Sequence, residues 1–298
     1  MDSQAALAAH FDRSRGQLRG VALRMLGSAD EADDAVQEAW LRASRADAGG
    51  VANMTAWLTT IVGRVCLDML RSRRRRGEQF VDAAAFEALT AEAGAASPED
   101  EAVTADSVGL ALLAVLDALG PAERVAYVLH DLFSVPFDEI ARIVGRSPAA
   151  AKKLASRARH RVHARPDVPA ADLARQRRVV DAFLAASRSG DLDALLAVLA
   201  PDAVRRSDLA APPEARVRGA RRIAEETAAN TARARLARPV LVDGRPGLVV
   251  APRGRVLLAL KLTIDGDRVA AIDVIGDPAR LREVRLSLLD PPPPARAV

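Results

Sequence analysis

The sequence predicts a three-domain chain: two all-α domains, the second with a helix-turn-helix, followed by an α+β domain. Three observations predict it. Apolar residues recur with helical period through the first 160 or so positions. Ala141, Gly145, Ala151 and Leu154 stand at the offsets of a helix-turn-helix. Beyond 171 the pattern changes to short apolar runs separated by Asp-Gly turns. A length of 298 residues is too great for one ordinary domain. Half the residues are apolar but only 3% are aromatic, so Leu, Val and Ala must build the cores.

In chain order, Leu7, Phe11, Leu18, Val21, Ala22, Met25 and Leu26 make one helix face, and Gly27-Ser28 ends the run. A second helix opens on Asp30, Glu31, Asp33 and Asp34, charges suited to the positive end of a helix, and runs to about Ser44. Gly49-Gly50 marks a loop, and Thr55–Arg75 is a third helix ending in arginines. These elements form a first domain over 1–76. Residues 77–106, rich in Ala and Glu, read as an acidic linker. Helices resume at Ser107, and a second domain closes at about 165, where Arg165-Pro166-Asp167-Val168-Pro169 breaks the chain. The third domain, 171–287, starts with helices Ala171–Ser187 and Leu192–Leu199. It ends with strands at 240–242, 248–250, 256–264 and 269–275, joined through Asp243-Gly244 and Asp265-Gly266. The tail 288–298, with four prolines after Asp290, is expected to be disordered.

The net charge of +4 conceals a blocked distribution. No Lys or Arg occurs between Gly77 and Glu123, while seven acids fall in Glu78–Glu101. Basic blocks flank this stretch: Arg71–Arg76 before it, and after it an acid-free window, 140–166, holding Lys152, Lys153 and Arg157. Such alternation fits polyanion-binding patches separated by a repelling linker. A single cysteine, Cys66, permits no internal disulfide, reads as core packing, and suits a reducing, cytoplasmic location. The N-terminus is no signal peptide, and no apolar run is long enough to span a membrane, so no membrane partner is expected.

The helix-turn-helix spans Phe137–His163. Ala141 allows close approach of its helices, Gly145 supplies the turn, and Ser147-Pro148 starts the second helix with a side-chain cap. Ala151, Leu154, Ala158 and Val162 share its packing face. Lys152, Lys153, Ser156, Arg157 and His160 project elsewhere, where a major groove would lie. Asp34, Gln37 and Glu38, at i, i+3 and i+4, form a polar stripe that by itself reads as solvated surface. Trp57 reads as core rather than as a base-stacking residue. On these residues alone three readings stay open: a polymerase-recruiting initiation factor, a helix-turn-helix regulator independent of core polymerase, and an enzyme with a DNA-binding appendage.

Three segments, in order, resemble the extracytoplasmic-function sigma factors. LRGVALRMLGSADEADDAVQEAWLRA is similar to the opening of their region 2. NMTAWLTTIVGRVCLDMLRSRRRR is similar to the part that reads the minus-10 element, and the segment from LLAVLDALG to ARHRV to region 4, which reads minus-35. The resemblance implies that the chain binds core RNA polymerase (β and β′ subunits) and promoter DNA. It implies that Asp34, Gln37 and Glu38 dock on β′. It further implies that Asn53, Arg64, Arg71, Arg73 and Arg74 serve minus-10 DNA, and that Ser147, Lys152, Lys153, Ser156 and Arg157 serve minus-35 DNA. The loop Arg45–Met54 and the helix after it would handle an unpaired base.

VVDAFLAASRSGDLDALLAVLAPDAV, VRGARRIAEE and the strands ending in VIGDPARL resemble the SnoaL-like cone fold, which SigJ-like members of the class carry at the C-terminus. The chain departs from those members in two places: Phe80–Phe86 replaces a Trp-Leu-Pro stretch, and Ser207–Ala211 replaces a glycine-rich motif. Free cone domains include enzymes, but from Ala164 onward this chain has no His, Cys, Tyr or Trp. Asp202, Asp208 and Asp273 read as surface and turn carboxylates, so no catalysis, cofactor or metal is expected. Residues 164–298 carry 23 Lys and Arg against 17 acids, and residues 1–163 carry 20 against 22. This suggests weak attraction between the domain and the rest of the chain, an intramolecular regulator with a small-molecule ligand left open.

Overall fold

The computed structural model describes residues 2–76, 107–209 and 213–289. The linker 77–106 with its Phe80–Phe86 stretch, Ala210 and Ala211, and the tail from 290 lie outside the described residues. The described residues form two compact units, one of 2–76 with 119–160, the other of 107–118 with 161–289.

In the first unit, α1 (Asp2–Leu26), α2 (Ala29–Arg45) and α3 (Met54–Arg76) pack three ways. The predicted stripe of α1 is buried from Leu7 to Leu26. It meets Ala32, Ala35, Val36, Ala39 and Ala43 of α2, where alanines allow close helix approach. Ser28 starts α2 by accepting the Glu31 N–H at 3.4 Å. Trp40 replaces aliphatic packing at one end, its ring 5.0 Å from that of Phe11. The unit is completed by α5 (Pro121–Tyr127), a π-helical turn (Val128–Leu132), α6 (Phe137–Val144) and α7 (Pro148–Val162), whose last two residues belong to the other unit.

Cys66 of α3 is fully buried, and burial pushes its thiol up to about 12. The raised value adds stability below the free thiol's range, which is lost as pH rises through the folded value. At pH 8 its thiolate fraction is therefore far below that of a free thiol. Buried and held protonated, native Cys66 is expected to react with iodoacetamide at least tenfold more slowly than in the urea-unfolded chain, a ratio readable by mass spectrometry. Equal rates would place the thiol at the surface.

The second unit holds α4 (Ser107–Asp117), α8 (Ala170–Ser189), α9 (Leu192–Val198), α10 (Ala220–Ala228), α11 (Thr231–Leu236) and α12 (Pro278–Glu283) around one sheet. The strands are β1 (Leu199–Ser207), β2 (Arg216–Arg218), β3 (Ala237–Val242), β4 (Arg245–Val250), β5 (Leu258–Asp265), β6 (Arg268–Ile275) and β7 (Leu286–Ser287). Their spatial order is β2-β1-β6-β5-β4-β3-β7, antiparallel throughout except for the parallel pair β1/β6. This α+β build agrees with the fold class read from the sequence. The first hairpin turns at Asp243-Gly244 as predicted, and the second turns one residue later than predicted, at Gly266-Asp267, because Asp265 still pairs with Arg268; φ is positive at Asp243, Gly244 and Gly266. The predicted strand 256–264 starts later, at Leu258, because a 3-10 turn, Pro252–Gly254, takes up the preceding chain. Phe183 is the single aromatic among the buried residues between the sheet and α8–α10.

The second unit also takes α4. Ala111 to Leu116 of that helix are all buried. It lies against β3 and the 3-10 turn, and the Asp117 carboxylate accepts the Val256 N–H at 3.0 Å. At the other end of the helix-turn-helix, Arg161 donates to the Ala118 carbonyl at 2.8 Å, and the Leu288 N–H donates to the Val162 carbonyl at 2.8 Å.

Candidate polymerase and nucleic-acid interfaces

On α2 the buried alanines fix which face is free. Asp34 and Gln37 are exposed and Glu38 is half-exposed, on one stripe as predicted. Glu38 accepts from Arg42 at 2.8 Å, and Arg42 also reaches Asp68 at 3.5 Å. The hydrogen bond that Arg42 donates to Glu38 raises its guanidinium above its ordinary value, against the opposing effect of burial. Leu41, seven residues after Asp34, continues the stripe and is 41% exposed, one of two large apolar side chains standing in solvent among the described residues. Sequence reasoning passed over Leu41. The signal was present, because the helical period that packs Trp40 on Phe11 turns Leu41 outward.

The residues assigned to minus-10 DNA are dispersed along α3. Asn53 caps the helix, its side-chain oxygen accepting the Ala56 N–H at 3.0 Å. Arg64 reaches the Arg142 carbonyl at 3.5 Å. Arg73 turns inward, donating to the Leu26 carbonyl at 3.0 Å and pairing with Glu31, and so fastens the end of α1 to the start of α2. Arg71 and Arg74 are exposed, and with Arg75, Asp68, Pro121 and Ala122 they line an open cleft of about 740 Å³. Trp57 is half-buried.

The helix-turn-helix has the predicted geometry. Gly145 sits at φ +69° after α6, and its N–H and that of Arg146 both bond to the Ala141 carbonyl. Ser147 spends its hydroxyl on the Ala150 N–H at 3.3 Å, the cap expected of it. Ala151, Ala155, Ala158 and Val162 of α7 are fully buried, while Leu154 is only half-buried. Ala155 takes the inner position because it lies i+4 from Ala151. Lys152, Lys153, Arg157 and His160 are exposed, and Ser156 is half-buried. Arg157 stands 3.5 Å from Glu123, and Arg159 is held by Asp131 at 2.6 Å. These cations form one exposed basic face with the cap at its start.

In the C-terminal unit, Asp208 accepts from the N–H groups of Gly276 (2.7 Å) and Asp277 (3.2 Å) and from Arg280 (2.9 Å), tying the end of β1 to α12. It stands in the segment that departs from the glycine-rich motif, so here a carboxylate clamp joins those elements. Asp273 is paired with Arg206 at 3.0 Å. Burial lowers the guanidiniums of Arg188 and Arg238, which donate to carbonyls at the end of α11, Arg188 to Ala234 and Arg238 to Arg235, and both to Ala237. No group of His, Cys, Asp and Glu suited to a metal ion occurs among the described residues, and no described helix is long and apolar enough to cross a membrane.

Residues 10–76 match the family described as Sigma-70 region 2, and residues 109–162 match Sigma-70, region 4. The chain is similar to the probable ECF RNA polymerase sigma factor SigI of Mycobacterium tuberculosis, at 33% identity over 97% of this chain and 99% of that one. It is similar to the ECF RNA polymerase sigma factor SigJ of the same organism at 41% identity, covering 66% of this chain and 64% of that one. The crystal structure of the Mycobacterium tuberculosis extracytoplasmic function sigma factor SigJ matches at 32% identity over 91% of this chain and 96% of that chain, with a TM-score of 0.43.

Proposed function

Because the chain belongs to the extracytoplasmic-function RNA polymerase sigma factors, we propose that it docks on core polymerase through the outer face of α2 and carries the enzyme to promoters. Asp34, Gln37, Glu38 and Leu41 form that face, and it is the observation that carries the reading: a polar stripe closing on an exposed leucine, on the side of α2 away from its buried alanines. An exposed apolar side chain beside charges is the composition of an interface centre with its rim. The β′ subunit is the partner for this face, and β the partner for the rest of the chain. Arg71 and Arg74 serve the minus-10 phosphates, with Asn53 and Arg64 at the helix start and middle. Lys152, Lys153, Ser156 and Arg157 serve minus-35 DNA, with Ser147 setting the start of the reading helix. Arg73 acts from behind by holding α1 and α2 together.

The C-terminal unit acts as a regulator and not as a catalyst. Asp208 and Asp273, two of the three carboxylates that could serve as bases, are committed to structural ties. A small molecule bound in the cone would regulate only by preferring one arrangement of the chain over another. The place of work is the cytoplasm, with the polymerase.

Replacement of Asp34, Gln37 and Glu38 together by alanine is expected to cut co-purification with core polymerase at least tenfold while leaving the helical circular dichroism unchanged. Full-strength co-purification of that variant would move docking elsewhere. An unaltered chain that retained no core enzyme would favour a regulator acting without it.

A further inference from the structure

Of the 43 Lys and Arg residues of the chain, only Lys152, Lys153 and Lys261 are lysines. Arginine supplies positive charge everywhere else, and at a phosphate its planar fork of donors holds two oxygens at once. A chain so given to arginine has no need of lysine for charge. What lysine brings instead is a primary amine, which takes an acyl group where a guanidinium does not.

The three amines stand in different surroundings. Lys261 lies on β5 with its Nζ 3.2 Å from the Asp243 carboxylate, which also accepts the Arg285 N–H at 3.1 Å. Lys152 and Lys153 are exposed on α7 and are tied to no described residue. Both stand in the second turn of that helix, within a window, 140–166, that holds no acid. Arg157 follows Lys153 by one turn, and exposed Arg146 precedes the helix. Cations gathered near the positive end of a helix draw a small anion from solution toward these amines.

We propose that Lys152 and Lys153 are a modification site, acylated by small acyl phosphates, and that the resulting amides switch off minus-35 binding. This step rests on the sigma-factor reading above. The ε-amine, after giving one proton to water, attacks the acyl carbon. An N–C bond forms, the C–O bond to phosphate breaks, and inorganic phosphate leaves with one of the two remaining amine protons. Each amide removes a positive charge and a phosphate-binding group from the reading face. Arginines elsewhere do not react, so acylation of this chain is focused on DNA binding.

The test acylates the full chain with acetyl phosphate, removes the reagent, and only then adds core enzyme, whose own lysines stay intact. Mass spectrometry is expected to show Lys152 and Lys153 modified at least threefold faster than Lys261. Holoenzyme affinity for a minus-35-containing promoter should fall at least tenfold, while core enzyme co-purifies with the acylated chain to within twofold. The chain carrying Lys152→Arg and Lys153→Arg is compared only with its own untreated sample, and the reagent should change its promoter affinity less than twofold. Lys261→Arg should leave the response to reagent as it is in the unaltered chain. Three results would each overturn the proposal: acylation of Lys261 as fast as that of the pair, promoter affinity undiminished by acylation of the pair, or an equal loss in the double-arginine chain. An untreated chain that directs no run-off transcription with core enzyme would instead sink the sigma-factor reading, and the proposal with it.

Discussion

The chain cut after Ala170 is expected to expose α4 and to aggregate. That helix is apolar around most of its circumference, and its partners β3 and the Pro252–Gly254 turn would be gone. Returning Leu112, Leu113 and Leu116 to water forfeits about 1.5–3 kcal/mol each as an upper bound, several kcal/mol in all. A domain's whole margin is about 5–15 kcal/mol. The Asp117–Val256 and Arg161–Ala118 hydrogen bonds reinforce the dependence, the first lost outright on truncation. Light scattering and thermal melts of residues 1–170 beside the full chain check this. A soluble monomer melting within a few degrees of the full chain would show that α4 is stable without the sheet.

Alanine at Lys152, Lys153 and Arg157 together is expected to lower holoenzyme affinity for a minus-35-containing promoter by about 10²–10³-fold near 0.1 M salt. Each phosphate contact removed takes about 0.9 from the slope of log affinity against log salt, so the triple variant should lose about 2–3 from that slope. The Glu123 carboxylate near Arg157 does not pre-empt this, because the guanidinium is 66% exposed and an exposed pair contributes about 0–1 kcal/mol. A fall in affinity with no change of slope would mean that these cations touch no phosphates. Unchanged affinity would remove α7 from the interface.

The helix-turn-helix was legible because its constraints are local: a glycine for φ +69°, buried alanines at 141 and 151, and a serine cap, all within about fifteen residues. The two hairpins marked by Asp-Gly were legible for the same reason, the second to within one residue. β1 was not, since Pro201 interrupts its alternation and its register against β6 shifts between Leu199 and Val204. The α2 stripe showed as a pattern, but its exposed leucine needed the packing of Trp40 to pick it out. The surroundings of the arginines were the least legible. Composition makes Arg64, Arg71, Arg73 and Arg74 equivalent, yet one reaches a carbonyl 78 residues away, one fastens two helices and two face a cleft. Such differences arise from long-range packing, as does the placement of α4 with the sheet rather than with 119–160.

The seating of α4 sets a schedule for synthesis. Asp117 is made 139 residues before Val256, its hydrogen-bonding partner. At about 5–20 residues per second, the ribosome leaves this greasy helix waiting about 7–30 s for the strands that cover it. The nascent chain is thus a natural client for a chaperone such as the one at the tunnel exit. The last residue of α7, Val162, likewise meets its hydrogen-bond donor Leu288 only 126 residues later.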